Sequence, residues 1–444
     1  MNFPTKTTPL SLSRRELLAR LGKAAMVSPV LTLAAMVSSC PGSGSKTNPP
    51  PPPPLSDDLF LDQIQRAVFL YFWEQASATT GQIKDRAFAA GNDTRTVSSI
   101  AATGFGLTAL CIGDQRGYLD SPSILARVRA TLNFLLNQMP NQNGFFFHFV
   151  DMNTGQRAFN SEVSSIDSTI LLCGVLTCRQ HFQDQQVQTM ATQIYQRFNW
   201  PWMLNGGNAF SLGWTPESGF LTASWSTYAE MMMLYLLAIG ATVNSVPASA
   251  WQAFTRPSLT YQGLTYITNT SAPLFIHQYS HAWFDFRNQR DAYANYFTNS
   301  VTATQAHQLF CESLGSQFSD YSSTLWGITA SDSVNGYAVW GGPPGMGPID
   351  GSLVPAAAAG SLPFLPSACI AVLREIRSAF PKAWQRYGFV DAFNPLTGWY
   401  DPDVIGINLG ITMLMAENQR SGLVWSTFMK NPEALAAMAA VGFH

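Results

Sequence analysis

The 444-residue chain has few charged residues and none of the short motifs that usually identify catalytic chemistry. Asp, Glu, Lys and Arg make up only 12% of the residues, about half of the roughly 25% that is typical of globular proteins. There is no GxSxG nucleophile elbow, no Walker phosphate loop, no GxGxxG after a predicted strand and no HExxH metal motif. These absences argue against a serine hydrolase, a nucleotide-binding fold and a zinc peptidase, and we expect neither a metal nor a cofactor.

Cysteine is also scarce, and its spacing is uninformative. Apart from Cys40, the cysteines lie mostly in apolar runs: Cys111, Cys173, Cys178, Cys311 and Cys369. Their number is odd and their spacing fits no metal site, so the sequence predicts buried free thiols rather than a disulfide framework.

Positive charge is concentrated at the N-terminus and is scarce elsewhere. Residues 1–54 hold six of the 25 Lys and Arg residues and one of the 27 Asp and Glu residues, which leaves the remainder at −7. A nucleic-acid partner is therefore disfavoured, because the remainder has a net negative charge that would repel phosphates.

The N-terminal segment has the pattern of an export signal. Arg14 and Arg15 precede the short apolar stretch AAMVSPVLTLAAMVSS, which is too short and too weakly apolar for a spanning helix. Residues 1–40 are predicted to be a twin-arginine-type signal. The small residues before Cys40 resemble a lipobox, which would make Cys40 a lipidation site and give the protein a lipid anchor; ordinary secretion is the alternative.

The segment 41–56 contains six consecutive prolines and is predicted to be an extended linker. We therefore expect an exported protein, either a periplasmic or outer-membrane-anchored lipoprotein or a secreted one. Its folded domain is expected at 57–444 and as a monomer.

The folded part contains a weak internal repeat. The letters VSSI occur at 97–100 and again at 163–166, each time before an apolar run, and WSTYAEMMMLYLLAIG follows about 62 residues later on the same plan. A helix that is apolar on all faces belongs inside a protein. Between these runs lie amphipathic stretches at 123–139 and 185–198. Buried and half-exposed helices are thus predicted to alternate with a period near 60.

Six such pairs would fill the chain as an all-α toroid, with long loops and short β-hairpins at one rim. An open helical solenoid is the rival architecture. Further inner helices are expected at 277–287, 354–362 and 404–419, and further outer helices at 58–76, 297–315, 366–379 and 431–441.

Three carboxylates stand at the starts of predicted inner helices. Ser164 and Asp167 fit a capping box, which explains Asp167 structurally, whereas Glu162 lies in the loop before the cap. Thr227 and Glu230 repeat the spacing at the next inner helix. Two carboxylates that meet at the mouths of neighbouring helices could act as general acid and base, as glycoside hydrolysis requires.

The surroundings of Glu230 favour chemistry over capping. Trp225 and Tyr228 precede it and three methionines follow, and such neighbours would desolvate a carboxyl group and raise its pKa. Glu217 lies on a loop beside Trp214, where an exposed surface glutamate is the commoner explanation.

Two segments combine aromatic rings with hydrogen-bonding groups, a combination suited to a neutral sugar. Rings can stack on pyranoses while Asp, Asn and Arg bond hydroxyl groups; buttressing of the toroid by polar loops is the alternative. The candidate sugar-binding residues are His281, Trp283, Asp285 and Arg287 in the first segment, and Asp391, Asn394, Trp399, Tyr400, Asp401 and Asp403 in the second.

Several motifs, in order from about residue 60 to the C-terminus, resemble the bacterial glucoamylase-like family, which includes endo-β-1,2-glucanases. They are SEVSSIDS, WPWML, HQYSHAWFDFR, WGITASD, AAAAGSLPF, YGFVDAFN and ENQRSGLVW. The resemblance implies an (α/α)6 barrel and inverting cleavage of a β-glucan outside the cytoplasm.

The same resemblance carries site roles to this chain. It places Glu162, Asp167 and Glu230 among the motif carboxylates, with Glu230 as general acid and Glu162 holding the sugar or the water. In the family an Asp often stands two residues before the glycine of the final inner helix, where this chain has Asn408. An amide cannot accept a proton from water, so Asp403 or Asp401 would have to be the base.

The sequence therefore predicts an exported glycoside hydrolase that binds an oligo- or polysaccharide, with β-1,2-glucan as the favoured substrate. Asn408 motivates one alternative, a non-catalytic glycan-binding lipoprotein. A polysaccharide lyase on the same toroid, using Tyr279 and His281, is a second alternative that the mildly acidic chain disfavours.

Overall fold

The computed structural model describes residues 55–270, 273–343, 345–347 and 349–444. The predicted export signal 1–40, its Cys40 lipidation site and residues 41–54 of the predicted linker lie outside these residues. No helix in the described part of the chain is both long and apolar enough to cross a membrane.

Outer and inner helical elements alternate along the chain. The outer elements are α1 (Asp57–Glu74), α3 (Ser121–Asn137), α5 (Gln185–Gln196), the short 3-10 helix Ala248–Gln252, α8 (Tyr296–Ser313) and α10 (Pro366–Ala379). The inner elements are α2 (Ile100–Arg116), α4 (Ser165–His181), α7 (Met232–Gly240), the 3-10 turns Leu274–His277 and Ser280–Ala282, α9 (Pro355–Ala359) and α11 (Gly406–Arg420). Three further helices complete the set: α6 (Trp200–Met203), α12 (Leu423–Phe428) and α13 (Pro432–Ala440).

Burial separates the two layers as the apolar patterns predict. Every residue of α2 from Ile100 to Gly113 is buried, and so is every residue of α4 from Ser165 to Arg179. Outer helix α5 instead buries one stripe, Val187, Met190, Ala191, Ile194 and Tyr195, which is the spacing of one helix face.

The inner elements form a closed ring. Helices α2 and α4 approach so closely that a Cβ on Gly174 would lie 2.1 Å from the Gly104 carbonyl oxygen. Helix α4 contacts α7, the Met233 amide donates to Ser280 Oγ at 3.1 Å, and Gln278 donates to the Ala357 carbonyl at 2.9 Å. Helix α9 packs on α11, and α11 packs back on α2. The fold is an (α/α)6 toroid, and the open solenoid is excluded.

Helices α2, α4 and α11 run in the same direction. The backbone of Gly406 lies against the Ala102 side chain, and four residues further Gly410 lies against Phe105. Contacts between α2 and α4 likewise advance together along the two helices. Their first residues therefore lie at one rim, which we call the N-terminal rim.

Short strands connect the helices, as predicted. They are β1 (Arg86–Phe88), β2 (Val97–Ser99), β3 (Phe149–Asp151), β4 (Val163–Ser164), β5 (Gly213–Thr215), β6 (Gly219–Phe220), β7 (Ser258–Tyr261), β8 (Leu264–Ile267), β9 (Trp384–Gln385), β10 (Gly388–Phe389), β11 (Phe393–Asn394), β12 (Trp399–Tyr400) and β13 (Asp403–Ile405). Antiparallel pairing of β1 with β13 joins the first inner helix to the last, and pairing of β2 with β3 and of β4 with β5 fixes the entrances of α2 and α4.

The expected inner helix at 277–287 is wrong in type. That stretch forms only the two 3-10 turns. Ser280 Oγ donates to the Glu230 carbonyl at 2.6 Å and accepts from the Met233 amide. Such side-chain bonding to another segment's backbone holds the turn against α7 at the cost of a regular helix.

The middle of the ring is filled by aromatic side chains. The Phe105 ring lies 5.5 Å from Tyr279 and 5.0 Å from Trp283, centroid to centroid. The Trp283 indole nitrogen donates to Thr108 Oγ1 at 3.0 Å. Because α2 and the 274–282 turns occupy opposite places in the ring, these contacts form a floor beneath the N-terminal rim.

The five described cysteines are buried and unbridged, which confirms the predicted free thiols.

Candidate active site

The start of α4 carries the first carboxylates of the rim. Ser164 is the N-cap and accepts from the Asp167 amide at 3.0 Å, while its hydroxyl donates to the Asp167 carboxylate. The predicted N-cap at Ser164 is therefore confirmed, but the capping box is incomplete, because the Ser164 amide donates to the Phe146 carbonyl at 3.0 Å. Glu162 lies before β4 and outside this cap, and its side chain is almost completely buried.

His148 lies between the two carboxylates of this entrance. Its Nδ1 is 3.2 Å from Glu162 Oε1, and its Nε2 is 3.8 Å from Asp167 Oδ2. The imidazole stacks on Phe149 with ring centroids 3.9 Å apart. Sequence reasoning missed His148, because the residue lies 14 positions before Glu162 and is brought there by the bridge between Phe147 and Val163.

Among the described residues, one group of three side chains could bind a metal ion. It consists of His148, Glu162 and Asp167, whose possible ligand atoms all lie within 4.8 Å of one another. The two carboxylates lie against opposite nitrogens of the ring. Chelation would bring both carboxylates to the same nitrogen, so the arrangement fits one hydrogen bond to Glu162 and a longer polar contact with Asp167 better than a metal site.

Glu162 is also held by close packing. A Cβ on Gly213 would lie 2.7 Å from Glu162 Cγ and 2.5 Å from the Val163 carbonyl oxygen. Only glycine leaves room there for the Glu162 side chain. Arg157 closes the outer side of this loop by donating to the Ser161 carbonyl at 2.6 Å and to Glu217 at 2.6 Å.

Glu230 lies in the turn that precedes α7 and is buried. The alternative in which Thr227 caps this helix does not hold, because α7 begins later, at Met232, and its N-cap Met231 makes no side-chain cap bond. Ser280 instead fixes the turn through the Glu230 carbonyl. The Trp225 indole donates to Ser165 Oγ at 2.9 Å, so the segment before Glu230 is tied directly to the start of α4.

A second group of carboxyl groups surrounds the start of α11. Asp391 accepts from the Asn408 side-chain nitrogen at 2.8 Å and from the Asp332 amide at 2.9 Å. Burial and the neighbouring Asp332 carboxylate raise the pKa of Asp391 to about 7. Asp332 pairs with Arg86 at 2.6 Å, yet burial still raises its pKa.

Asp401 and Asp403 differ sharply in the hydrogen bonds that their carboxyl groups accept. Arg95 donates two bonds of 2.7 Å to the Asp403 carboxylate. Asp401 Oδ1 accepts from the Asp403 amide, but its buried Oδ2 has no hydrogen-bond partner among the described residues. Burial and the nearby Asp391 raise the pKa of Asp401 to about 9.

Glu230 and the Asp391–Asp401–Asp403 group stand at opposite places in the ring. Counting from α2, helix α7 is the third inner element and α11 is the sixth. Glu230 therefore faces the ring from one side and the Asp391–Asp401–Asp403 group from the other. An acid and candidate bases are therefore carried by opposite inner elements of the ring.

The Glycoamylase family model matches residues 222–432, a range that includes Glu230 and the whole Asp391–Asp403 group. Over this range the chain is similar to the glucoamylase-like family.

Two relatives of the chain are named for activity on β-1,2-glucans. The chain is 27% identical over 431 residues to an exo β-1,2-glucooligosaccharide sophorohydrolase (non-reducing end) of Parabacteroides distasonis, covering 88% of this chain and 58% of the relative. It is 26% identical to the endo-β-1,2-glucanase of Chitinophaga pinensis, solved with sophorotriose and glucose, with a TM-score of 0.81 over 88% of this chain and 99% of the other.

A further solved structure supports the fold alone. The β-1,2-glucanase of Parabacteroides distasonis has a TM-score of 0.82 at 24% identity, over 88% of this chain and 60% of the other.

Other sugar-binding candidates of the chain lie apart from the rim. Asp285 pairs with Arg287, whose guanidinium lies 4.1 Å from the Trp425 ring centre and near Gly422. Because Gly422 follows the end of α11, both residues belong to the rim opposite to the carboxylates.

His281 and Trp283 are completely buried. His281 bonds Ser300 Oγ at 3.1 Å and is surrounded by phenylalanine rings. Tyr279, its partner in the lyase alternative, is buried in the floor. These surroundings favour packing roles.

The remaining candidates lie near the rim but are engaged in local structure. Asn394 closes the β11–β12 hairpin and donates to the Asp350 carbonyl at 2.9 Å. Half-buried Tyr400 stacks on Phe393, and Trp399 pairs with Asn394 across the hairpin. Tyr228 is buried, with its hydroxyl 3.2 Å from His277 Nδ1.

Proposed function

We propose that the protein is an exported, inverting glycoside hydrolase that cleaves β-1,2-glucan internally. The observation that carries this proposal is the pair of carboxyl groups at opposite sides of one closed ring, Glu230 before α7 and the Asp391–Asp403 group before α11. The similarity to β-1,2-glucan-degrading enzymes supports the substrate. The Arg14–Arg15 segment supports export, and Cys40 supports a lipid anchor.

Glu230 acts as the general acid that protonates the glycosidic oxygen. Its carboxyl group is buried in the turn before α7 and is thereby shielded from bulk water. Glu162 holds the sugar or the attacking water, because its carboxylate is fixed by His148 and by the packing at Gly213.

Asp403 is the general base. A base must be ionised before it can accept a proton from water. Asp401, with a pKa of about 9, retains its proton at neutral pH and is unsuited to that role. Arg95 holds Asp403 in place through two bonds of 2.7 Å.

A panel of defined glucans tests this function. Reducing-end release should occur with β-1,2-glucan and be lost in Glu230→Gln, whereas Glu375→Gln on the outer helix α10 should retain it. Internal cleavage predicts oligosaccharides of several lengths at early times, and inversion predicts the α-anomer as the first product by NMR. No product from any glucan, or unchanged turnover in Glu230→Gln, would contradict the proposal.

One observation favours a second candidate, a glycan-binding protein without turnover. Asn408 occupies a position where the resembling family often has Asp, and its side-chain nitrogen donates to Asp391 and to the Ala330 carbonyl. Calorimetry that shows β-1,2-glucan binding without product, together with activity gained in Asn408→Asp, would support this candidate.

A further inference from the structure

His148 is fixed in both its backbone and its ring. Its amide donates to the Glu162 carbonyl at 2.9 Å, and its carbonyl accepts from the Ile100 amide at 3.2 Å. The ring is stacked on Phe149 and is more than nine-tenths buried. The hairpin that carries His148 is therefore attached to the entrances of both α2 and α4.

The two carboxylates beside the ring are fixed as well. Asp167 belongs to the first turn of α4, where the Ser164 hydroxyl and the helix dipole hold its carboxylate. Glu162 is packed against Gly213, where even a methyl group would collide with it. With both neighbours immobile, the imidazole can present only Nδ1 to Glu162 and only Nε2 to Asp167.

We propose that His148 is a positioning residue that holds the Glu162 carboxylate through Nδ1 and takes its own orientation from Asp167. This inference rests on the proposed function, in which Glu162 contacts the sugar or the water. A glutamate side chain has three rotatable bonds, and a displacement of about 1 Å at a reacting centre can reduce turnover about 100-fold. The chain Asp167–His148–Glu162 removes that freedom before substrate binds.

If His148 is a positioning residue, we expect its replacement by Asn, Gln and Ala to have different effects. Asparagine can place an amide nitrogen near the position of Nδ1, and so can still donate to Glu162. Glutamine can place one near Nε2, facing Asp167. Alanine keeps neither contact. The three variants therefore separate the contact with Glu162 from mere filling of space.

Steady-state kinetics on β-1,2-glucan should follow this order. For His148→Ala we expect kcat to fall about 100-fold with KM changed less than about threefold, and for His148→Asn at least about tenfold recovery over alanine. The kcat of His148→Gln should stay near that of His148→Ala. The kcat of His444→Ala, at the C-terminus, should match that of the wild type. Equal kcat in wild type and His148→Ala would overturn the proposal, and so would better recovery with glutamine than with asparagine.

A measurement that does not depend on turnover tests the His148 contacts separately from the proposed function. The chain contains six histidines, so NMR of protein labelled with ¹⁵N-histidine is simple enough to assign by substitution. We expect a slowly exchanging, downfield imidazole N–H signal that disappears in His148→Asn and shifts in Asp167→Asn. Absence of such a signal from folded wild-type protein would overturn the proposal even if glucan is cleaved.

The same sample tests the metal alternative. Addition of Zn²⁺ or Mn²⁺ at one equivalent should leave the His148 signal and the activity unchanged. Stoichiometric binding that perturbs this signal and is abolished in His148→Asn would identify a metal site instead and overturn the positioning role. If wild-type protein cleaves no glucan while the His148 signal behaves as expected, the proposed function fails and the His148 contacts stand.

Discussion

Asn408 donates from its side-chain nitrogen to Asp391 at 2.8 Å and to the Ala330 carbonyl at 3.1 Å. The nitrogen of an amide can only donate, so Asn408 stabilises the charged form of Asp391 through this bond. The residue thus connects the first turn of α11 with the loops that carry Asp391 and Ala330. A carboxyl group at position 408 would replace this donor with a second acceptor.

The substitution Asn408→Asp should make stability depend more steeply on pH. Two carboxyl groups at hydrogen-bond distance favour sharing one proton, which raises the pKa of the pair. The free energy of unfolding then falls as the pH rises through that raised pKa, because the unfolded chain releases both protons while the folded chain retains one. We expect the melting temperature relative to wild type to be lower at pH 8 than at pH 5.

Exposed Asn208→Asp serves as the control for Asn408→Asp. It adds the same charge at an exposed bend and should shift the melting temperature little at either pH. Equal melting-temperature changes at pH 5 and pH 8 in Asn408→Asp would show that position 408 is not coupled to Asp391.

Asp401 should destabilise the folded protein increasingly as the pH rises. Its pKa is about 9 in the folded chain against an ordinary value of 3.8. Below pH 4 both states hold the proton. Between pH 4 and 9 the unfolded state releases it while the folded state retains it, so this contribution to stability is lost with rising pH.

The amide variant Asp401→Asn removes this titration and keeps an oxygen that can accept from the Asp403 amide. Relative to wild type, its melting temperature should rise by about 3 °C or more between pH 5 and pH 8.5. Thermal unfolding followed by circular dichroism would check this. A constant difference across that range would mean that Asp401 titrates normally.

Local signals in the sequence predicted the helix entrances well, and contacts between distant segments could not be read from it. The cap at Ser164 depends on residues three apart, so its spacing is visible in the sequence. His148 meets Glu162 through a hairpin, and Arg95 meets Asp403 across 308 positions. Thr227 and Glu230 have the spacing of a cap without forming one, because contacts of Ser280 with the Glu230 carbonyl and the Met233 amide fix that turn.

The packing of Glu162 against Gly213 should make that glycine important for turnover. In Gly213→Ala the new methyl group would meet Glu162 Cγ at 2.7 Å and the Val163 carbonyl oxygen at 2.5 Å. The backbone contact cannot be relieved by a rotamer change, so β4 and Glu162 must shift. We expect kcat on β-1,2-glucan to fall at least about tenfold and the melting temperature to fall by several degrees.

A nearby glycine provides the matched control for Gly213→Ala. A methyl group on Gly207 would meet only the Leu204 carbonyl oxygen, at 3.4 Å, so Gly207→Ala should leave kcat and stability close to wild type. If Gly213→Ala retained wild-type kcat, precise placement of Glu162 would not matter for the reaction.

The assignment of Asp403 as general base predicts a specific kinetic loss. In Asp403→Asn the amide keeps the shape of the side chain but cannot accept a proton from water, so kcat should fall about 100-fold to 10,000-fold with little change in KM. Loss of the two Arg95 bonds should also lower stability, which thermal unfolding would measure separately. Asp320→Asn, on a partly exposed loop residue, controls for the loss of one negative charge. Azide attacks the anomeric carbon in place of water and needs no base, so its addition should restore cleavage by Asp403→Asn, with an α-glycosyl azide as the product, while leaving Glu230→Gln inactive. If azide restores Asp391→Asn instead, the base is Asp391, whose pKa of about 7 also suits proton exchange near neutral pH, and Arg95 holds Asp403 as a structural ion pair.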